Sequence, residues 1–172
     1  MNAENTQIRP ATLDDSLDIA EIYNWYIQNT TITFEEEQVT AGDMAQRIAV
    51  ADQTRPWFVL ESTGEEKSDS RLLGYAYAAR WKERSAYRYA REVSIYLVQD
   101  AQGEGFGLQL YETLIEALRS TDVHTLIAGI TLPNDPSIAL HEKLGFKKVG
   151  EFEEVGKKFD NYLNVGYWQL AL

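Results

Sequence analysis

Ser94-Ile-Tyr-Leu-Val-Gln-Asp-Ala-Gln-Gly-Glu-Gly-Phe-Gly107 is the stretch that decides the fold. An apolar strand runs out at Val98, and a loop carrying Gln102-x-x-Gly105-x-Gly107 follows. A helix opens behind the loop, with Leu108, Tyr111, Ile115 and Leu118 recurring on one face. Glycines at the mouth of a helix leave backbone N–H groups bare, and the positive end of the helix dipole stands behind them. Such a loop suits a phosphate or pyrophosphate.

Which phosphate ligand fits is narrowed by spacing. A P-loop requires Gly-Lys-Ser/Thr, whereas Gly107 is followed by Leu108 and Gln109. A dinucleotide fingerprint requires Gly-x-Gly-x-x-Gly, and glycines at 103, 105 and 107 do not match it. Taken alone, the stretch also suits a glycine-rich turn that only lets strand and helix pack.

Working outward, Thr12-x-x-Asp15 caps a first helix whose Ile19, Ile22, Tyr23 and Tyr26 recur at helical spacing. A second amphipathic segment, about 40–52, carries Met44, Ile48 and Ala51. Strands at 57–62 and 71–80 flank a polar hairpin loop at 63–70. The order strand, helix, helix, three strands, helix, strand, helix, two strands predicts an α/β fold with a mixed, highly twisted sheet. It forms a single domain over 7–171, with residues 1–6 as an N-terminal tail.

Composition removes several classes of function. The 172 residues suit one domain with a real core, and 44% apolar content marks a globular chain. With no cysteine, disulfide scaffolding, thiol catalysis and thiolate metal sites are excluded, and the two histidines stand far apart, so no metal is expected. No apolar run is long enough to span a membrane and no export signal opens the chain, so a soluble cytoplasmic protein is expected. A net charge of −11 argues against nucleic acid and anionic membrane as partners and favours a cationic or zwitterionic amine.

Further motifs stand in order along the chain. They are Tyr26-Ile-x-Asn-Thr-Thr-Ile-Thr-Phe34-x-x-Glu37, Gly74-Tyr-Ala-Tyr77, Trp81-Lys-x-Arg84-x-Ala-Tyr87 and Glu92-x-Ser-Ile-Tyr-Leu97. Leu132-Pro-Asn-Asp-Pro-Ser-Ile-Ala-Leu-His-Glu-Lys-Leu-Gly-Phe146 and Gly166-Tyr-Trp-Gln169 complete the set. Together with the glycine loop they resemble the GCN5-related N-acetyltransferase (GNAT) superfamily, in its phosphinothricin and methionine sulfoximine/sulfone acetyltransferase branch. The resemblance covers about residues 7 to 171.

That resemblance implies a twisted, mixed, mostly antiparallel sheet flanked by helices, with central strands splayed at a CoA site. It implies acetyl-CoA as co-substrate, a small-molecule amine as acceptor, and a homodimer. Gln102, Gly103, Glu104, Gly105, Phe106 and Gly107 would hold the pyrophosphate. The backbone of Ile95, Tyr96 and Leu97 would hold the pantetheine arm, with an amide near Leu97 polarising the thioester carbonyl and Asn134 contacting the arm from the facing helix. Glu92 would be the general base; an ordinary carboxylate, with a pKa of about 4.3, must work through water or a raised pKa to deprotonate an ammonium. The other reading of Glu92 pairs it with Arg91 or Arg88. His141 stands where many relatives carry Tyr, and would give a proton to the departing sulfur or relay one from the amine; its other reading is packing alone. Trp81, Lys82, Arg84 and Tyr87 suit a carboxylate or phosphinate head group. Phe34 and Glu37 would border the same pocket, Glu37 attracting the α-ammonium.

Two departures bear on detail. Glu104 sits in the phosphate loop where relatives commonly carry a cation or an apolar residue. In Val155-Gly-Lys-Lys-Phe159-x-x-Tyr162-Leu-Asn164, Tyr replaces Trp and Asn replaces Asp, which bears on the acceptor. Alternatives are a peptide N-terminus or antibiotic amine as acceptor, and a non-catalytic acyl-CoA sensor.

Overall fold

A computed structural model describes residues 6–63 and 70–172. The chain order is the predicted one: β1 (Thr6–Pro10), α1 (Ser16–Asn29), α2 (Ala41–Ala49), β2 (Trp57–Ser62), β3 (Arg71–Arg80), β4 (Ala90–Leu97), α3 (Phe106–Arg119), β5 (Thr125–Thr131), α4 (Asp135–Lys143), β6 (Lys147–Lys158) and β7 (Asn161–Ala171). Thr6 already pairs with Ser62. Residues 1–5 of the expected tail and 64–69 of the expected hairpin loop lie outside the described residues.

Local chemistry sets the helix starts. Thr12 and Asp15 form a reciprocal capping box on the short turn that leads into α1, and Asp15 also takes the Arg9 guanidinium fork at 2.7 and 2.8 Å. Thr40 and Asp43 form a second box that opens α2. In α1, Ile19, Ile22, Tyr23 and Tyr26 are buried as their spacing predicts. In α2 the buried pair is Met44 and Ile48; Ala51 lies past the helix end and is exposed. The buried stripe of α3 runs Leu110, Tyr111, Leu114, Ile115, Leu118, so Leu108 stands at its rim and is only half-buried.

The sheet order is β1-β2-β3-β4-β5-β7-β6, antiparallel throughout except between β4 and β5. Two cores cover its faces. One gathers α3 with Ala76, Ala78 and Val93, the other gathers α1 and α2 with Tyr75 and Tyr96. Alternation along β4 therefore sends Val93 to one core and Tyr96 to the other.

The parallel pair is incomplete, and this positions the site. β4 follows β3 along its whole length, from Arg91 opposite Arg80 to Leu97 opposite Gly74. It meets β5 only at Ala90, Arg91 and Glu92, opposite Thr125, Leu126 and Ile127. Beyond that the two strands diverge. The Val98 N–H donates to the Leu73 carbonyl at 2.9 Å, so even-numbered residues turn their backbone groups to β3. By the same alternation the backbone groups of Ile95 and Leu97 face the opening.

Gly74 makes the close β3–β4 approach possible, since a Cβ there would stand 2.6 Å from the Tyr96 carbonyl and collide with the Leu97 side chain. Gly74→Ala is expected to cost about 1–3 kcal/mol by overpacking, read as a lowered Tm in thermal unfolding. An unchanged Tm would contradict this tight pairing.

Candidate active site

The glycine loop is built for backbone shape and not for close packing. Gly103 and Gly105 have φ of +82° and +84°, and a Cβ on either would meet nothing within 4 Å. Their space is open; it is the left-handed backbone that calls for glycine. Gly107 is the packing glycine, with Leu140 at 3.4 Å from the position of a Cβ. No side chain caps the first turn of α3, whose amides stand at the loop mouth. Glu104 is exposed, so its charge is hydrated.

The Gln102 side chain reaches Tyr26 of α1. Its Nε2 donates to the Tyr26 hydroxyl at 3.1 Å, and that hydroxyl donates in turn to the Leu97 carbonyl. The Leu97 N–H also lies 3.4 Å from the Tyr26 oxygen. Leu97, whose amide the sequence marks for the thioester carbonyl, is thus already met by α1. Sequence reading gave Tyr26 a place in a motif and a core face, but not this contact.

The opening between β4 and β5 is a narrow cleft of about 50 Å³, walled by Ser94, Ile95 and Tyr96 on one side and Gly129 to Thr131 on the other. Asn134, Tyr111 and His141 close its helical side, and Ile32 reaches it from the loop after α1. Asn134 also caps α4, its Oδ1 accepting the Ser137 N–H at 3.3 Å. The unpaired strand edge, the bare helix mouth and the cleft between them fit a long, amide-bearing phosphate ester.

Glu92 sits where the two strands part. Its Oε1 lies 3.6 Å from the position a Cβ on Gly129 would take. Burial pushes its carboxyl pKa up, with Lys82 opposing. The pairing with Arg91 or Arg88 does not form. Arg91 is spent on the Thr54 carbonyl and hydroxyl and on the Arg88 and Ala90 carbonyls, and Arg88 lies over the Tyr89 ring. Among the described residues, no cation lies within salt-bridge distance of Glu92.

His141 is 3% exposed. Its Nδ1 lies 2.7 Å from the Ser137 carbonyl and its Nε2 3.2 Å from the Tyr111 hydroxyl, and burial lowers its pKa. Tyr111 is buried too, and burial raises its hydroxyl pKa, with the Glu92 carboxylate adding to the shift. On sequence Tyr111 read only as core, because a helical stripe does not reveal that the neighbouring strands part beside it.

The residues marked for the acceptor divide in two. Trp81 meets Tyr167 edge-on at 5.6 Å, and the Lys82 ammonium lies 4.7 Å from the Trp81 ring. Lys82, Arg84 and Tyr87 line a crevice of about 290 Å³ with Arg55, Arg80, Arg88 and Arg91, against two acids, Asp52 and Glu83. Six of the chain's 16 Lys and Arg therefore gather at one place on a chain of net charge −11. Phe34 is elsewhere, packed against Gly156 in β6, and Glu37 is exposed. Neither lines the crevice of Lys82 and Arg84, and the loop that carries them is held by the Lys158 ammonium, which donates to the Thr33 carbonyl at 2.8 Å.

Comparison with known proteins accounts for this geometry. The family described as acetyltransferase (GNAT) domain matches residues 8–165. The chain belongs to the GNAT acetyltransferases. It is an acetyl-CoA-dependent N-acetyltransferase. It is 33% identical to a phosphinothricin N-acetyltransferase of Streptomyces coelicolor over 96% of both chains. It is 36% identical to an L-methionine sulfoximine/L-methionine sulfone acetyltransferase of Pseudomonas paraeruginosa, over 98% of this chain and 95% of that one. A phosphinothricin acetyltransferase from Sinorhizobium meliloti, solved in complex with acetyl-CoA, superposes with a TM-score of 0.89 at 31% identity, covering 98% of this chain and 89% of that one.

The unpaired carboxyl of this acetyltransferase links to stability. The folded state holds the Glu92 proton more tightly than the unfolded chain does, so stability falls as pH rises from the ordinary value of 4.5 through the raised folded value. Glu92→Gln is therefore expected to raise Tm at neutral pH, with the gain closing well below pH 4.5. A lower Tm at neutral pH would show that the carboxylate is stabilising.

Proposed function

We propose that the enzyme acetylates the α-amine of a small amino-acid analogue of the phosphinothricin, methionine sulfoximine or methionine sulfone kind, whose anionic end is its carboxylate or, in phosphinothricin, also a phosphinate. The amine attacks the thioester directly, in the cytoplasm. The observation that carries this reading is an unpaired, desolvated Glu92 at the end of the cleft, on the strand that continues from the cationic Lys82–Tyr87 segment.

Each group then has a task. The α3 mouth and residues 102–107 hold the pyrophosphate, while the free backbone edge of β4 and Asn134 hold the pantetheine arm. Glu92, its pKa raised by burial, takes the first proton of the ammonium, directly or through water. Lys82 and Arg84 take the anionic tail, and Trp81, Tyr87 and Tyr167 supply aromatic walls. Phe34 and Glu37 are left with a smaller part than their motif suggests, on the loop whose Ile32 touches the cleft.

A homodimer accompanies this reading. β6 is an edge strand exposed along almost its whole length, and Val149, Phe152 and Val155 on it, Phe159 in its turn and Tyr162 at the start of β7 are each more than half exposed. An apolar edge of this kind calls for a cover. A second copy is the cover we propose.

Thiol release from acetyl-CoA, followed across a panel of amines, tests the acceptor. Turnover of the sulfone, sulfoximine or phosphinothricin above ordinary amino acids and short peptides is expected; preference for peptides would refute the reading. Glu92→Gln is expected to lower kcat by about a hundredfold or more, and full activity would remove Glu92 as base. Sedimentation should give twice the 19.6 kDa chain mass. A monomer would contradict the dimer.

A further inference from the structure

The crevice at the β3–β4 turn holds more positive charge than the acceptor needs. Of its six cations, two are matched to acids: Arg55 donates from Nε and Nη2 to Asp52 at 3.0 and 2.6 Å, and Arg80 lies 3.5 Å from Glu83. Lys82, Arg84, Arg88 and Arg91 have no carboxylate within salt-bridge distance among the described residues. Four positive charges are therefore left over, on a chain of net charge −11.

Arg91 matters most among these, because it is 6% exposed. Its Nε donates to the Thr54 carbonyl at 2.6 Å and its Nη2 to the Thr54 hydroxyl at 2.7 Å. Nη1 donates to the carbonyls of Arg88 and Ala90 at 2.7 and 2.9 Å. All four acceptors are neutral, so they fix the guanidinium in place and leave its charge uncancelled. A guanidinium carries five N–H groups, so one on Nη2 is still unspent. Burial lowers its pKa, and Asp52, Arg55, Asp122 and Arg80 are the charged groups that act on it. Arg88 is oriented as well, 4.4 Å over the Tyr89 ring with Nη1 on the Ser85 carbonyl at 3.2 Å.

Strand alternation separates this end of the crevice from the reacting groups. Arg91 stands opposite Arg80, on the same face of β4 as Val93, which packs in the core of α3. Glu92 stands opposite Ala79 and shares the other face with Tyr96. Lys82, whose charge acts on Glu92, serves that second face. An acceptor with its ammonium at Glu92 has Arg91 on the far side of the sheet.

We propose that the end of the crevice formed by Arg80, Arg88 and Arg91 is a second anion site, which binds the phosphate group of a small ligand. A phosphate fits better than a lone carboxylate, because more than one positive charge is left to balance. Five of the six cations are arginines, whose planar forks suit phosphate oxygens. The crevice, about 290 Å³, has room for the free ion or for a small phosphomonoester.

Calorimetric titration of the CoA-saturated enzyme with inorganic phosphate tests this, since CoA then fills the mouth of α3. One saturable site is expected at constant ionic strength, and saturating methionine sulfone should leave it in place. Glycerol phosphate titrated beside it tells whether the site prefers an ester or the free ion. Arg88→Gln changes an exposed residue and should weaken phosphate by about tenfold or more, with Tm unchanged. Arg91→Gln should abolish binding, and if it does not fold, Arg88→Gln still decides. No saturable binding, displacement by methionine sulfone, or wild-type affinity in Arg88→Gln would overturn the site. The titration needs no turnover, so its failure is separate from a failure of the acetyl-acceptor reading.

Discussion

The structure depends on a parallel pair of strands that stops too soon. β4 and β5 share three positions and then part, while each remains fully paired on its other side, β4 to β3 and β5 to β7. Unpaired backbone in a protein interior is costly, so an opening of this kind must be supported from both sides. Tyr26 answers Leu97 from one face, and α3 and α4 close the other with Tyr111, Asn134 and His141. What is left uncovered is a short strip of amides and carbonyls at Ile95, in line with the mouth of α3. A cofactor that carries both phosphates and an amide-rich arm matches that strip.

Charge is arranged to complement the opening. The chain is strongly acidic, yet the crevice formed by the ends of β2 and β3 and the β3–β4 turn gathers six cations. Beside Gly129, on the wall of the cleft, stands Glu92, a half-buried carboxylate without an ion-pair partner among the described residues. This arrangement supports the proposed zwitterionic acceptor, with cations for its anionic end and a carboxylate for its ammonium. A half-buried carboxylate without a partner lowers stability, and its place where the strands part supports the proposed role as base.

Element order was legible in the sequence because local signals agreed at every step. Capping boxes at Thr12 and Thr40, helical stripes, alternating strands and glycine turns all pointed the same way. Strands 57–62 and 71–80 lie where the sequence placed them. The shape of the glycine loop was legible for the same reason, since it is carried by adjacent residues. Tyr111 and Tyr26 were hidden because their hydroxyls act across long sequence separations, Tyr111 on His141 and Tyr26 on Leu97 and Gln102. Leu108 and Ala51 were misjudged by a single step at a helix rim or end. The seat of Phe34 against Gly156 in β6 had no local signal, because the Lys158–Thr33 contact that holds its loop joins residues far apart in the chain.

The most direct test of the account is a crystal structure of the enzyme with CoA and methionine sulfone bound together. The account predicts the CoA sulfur in the β4–β5 opening, beside the backbone of Ile95 and Leu97. It also predicts the acceptor nitrogen on the Glu92 side, with the acceptor's carboxylate towards Lys82 and Arg84. A CoA sulfur outside the opening, or an acceptor bound away from Glu92, would contradict it.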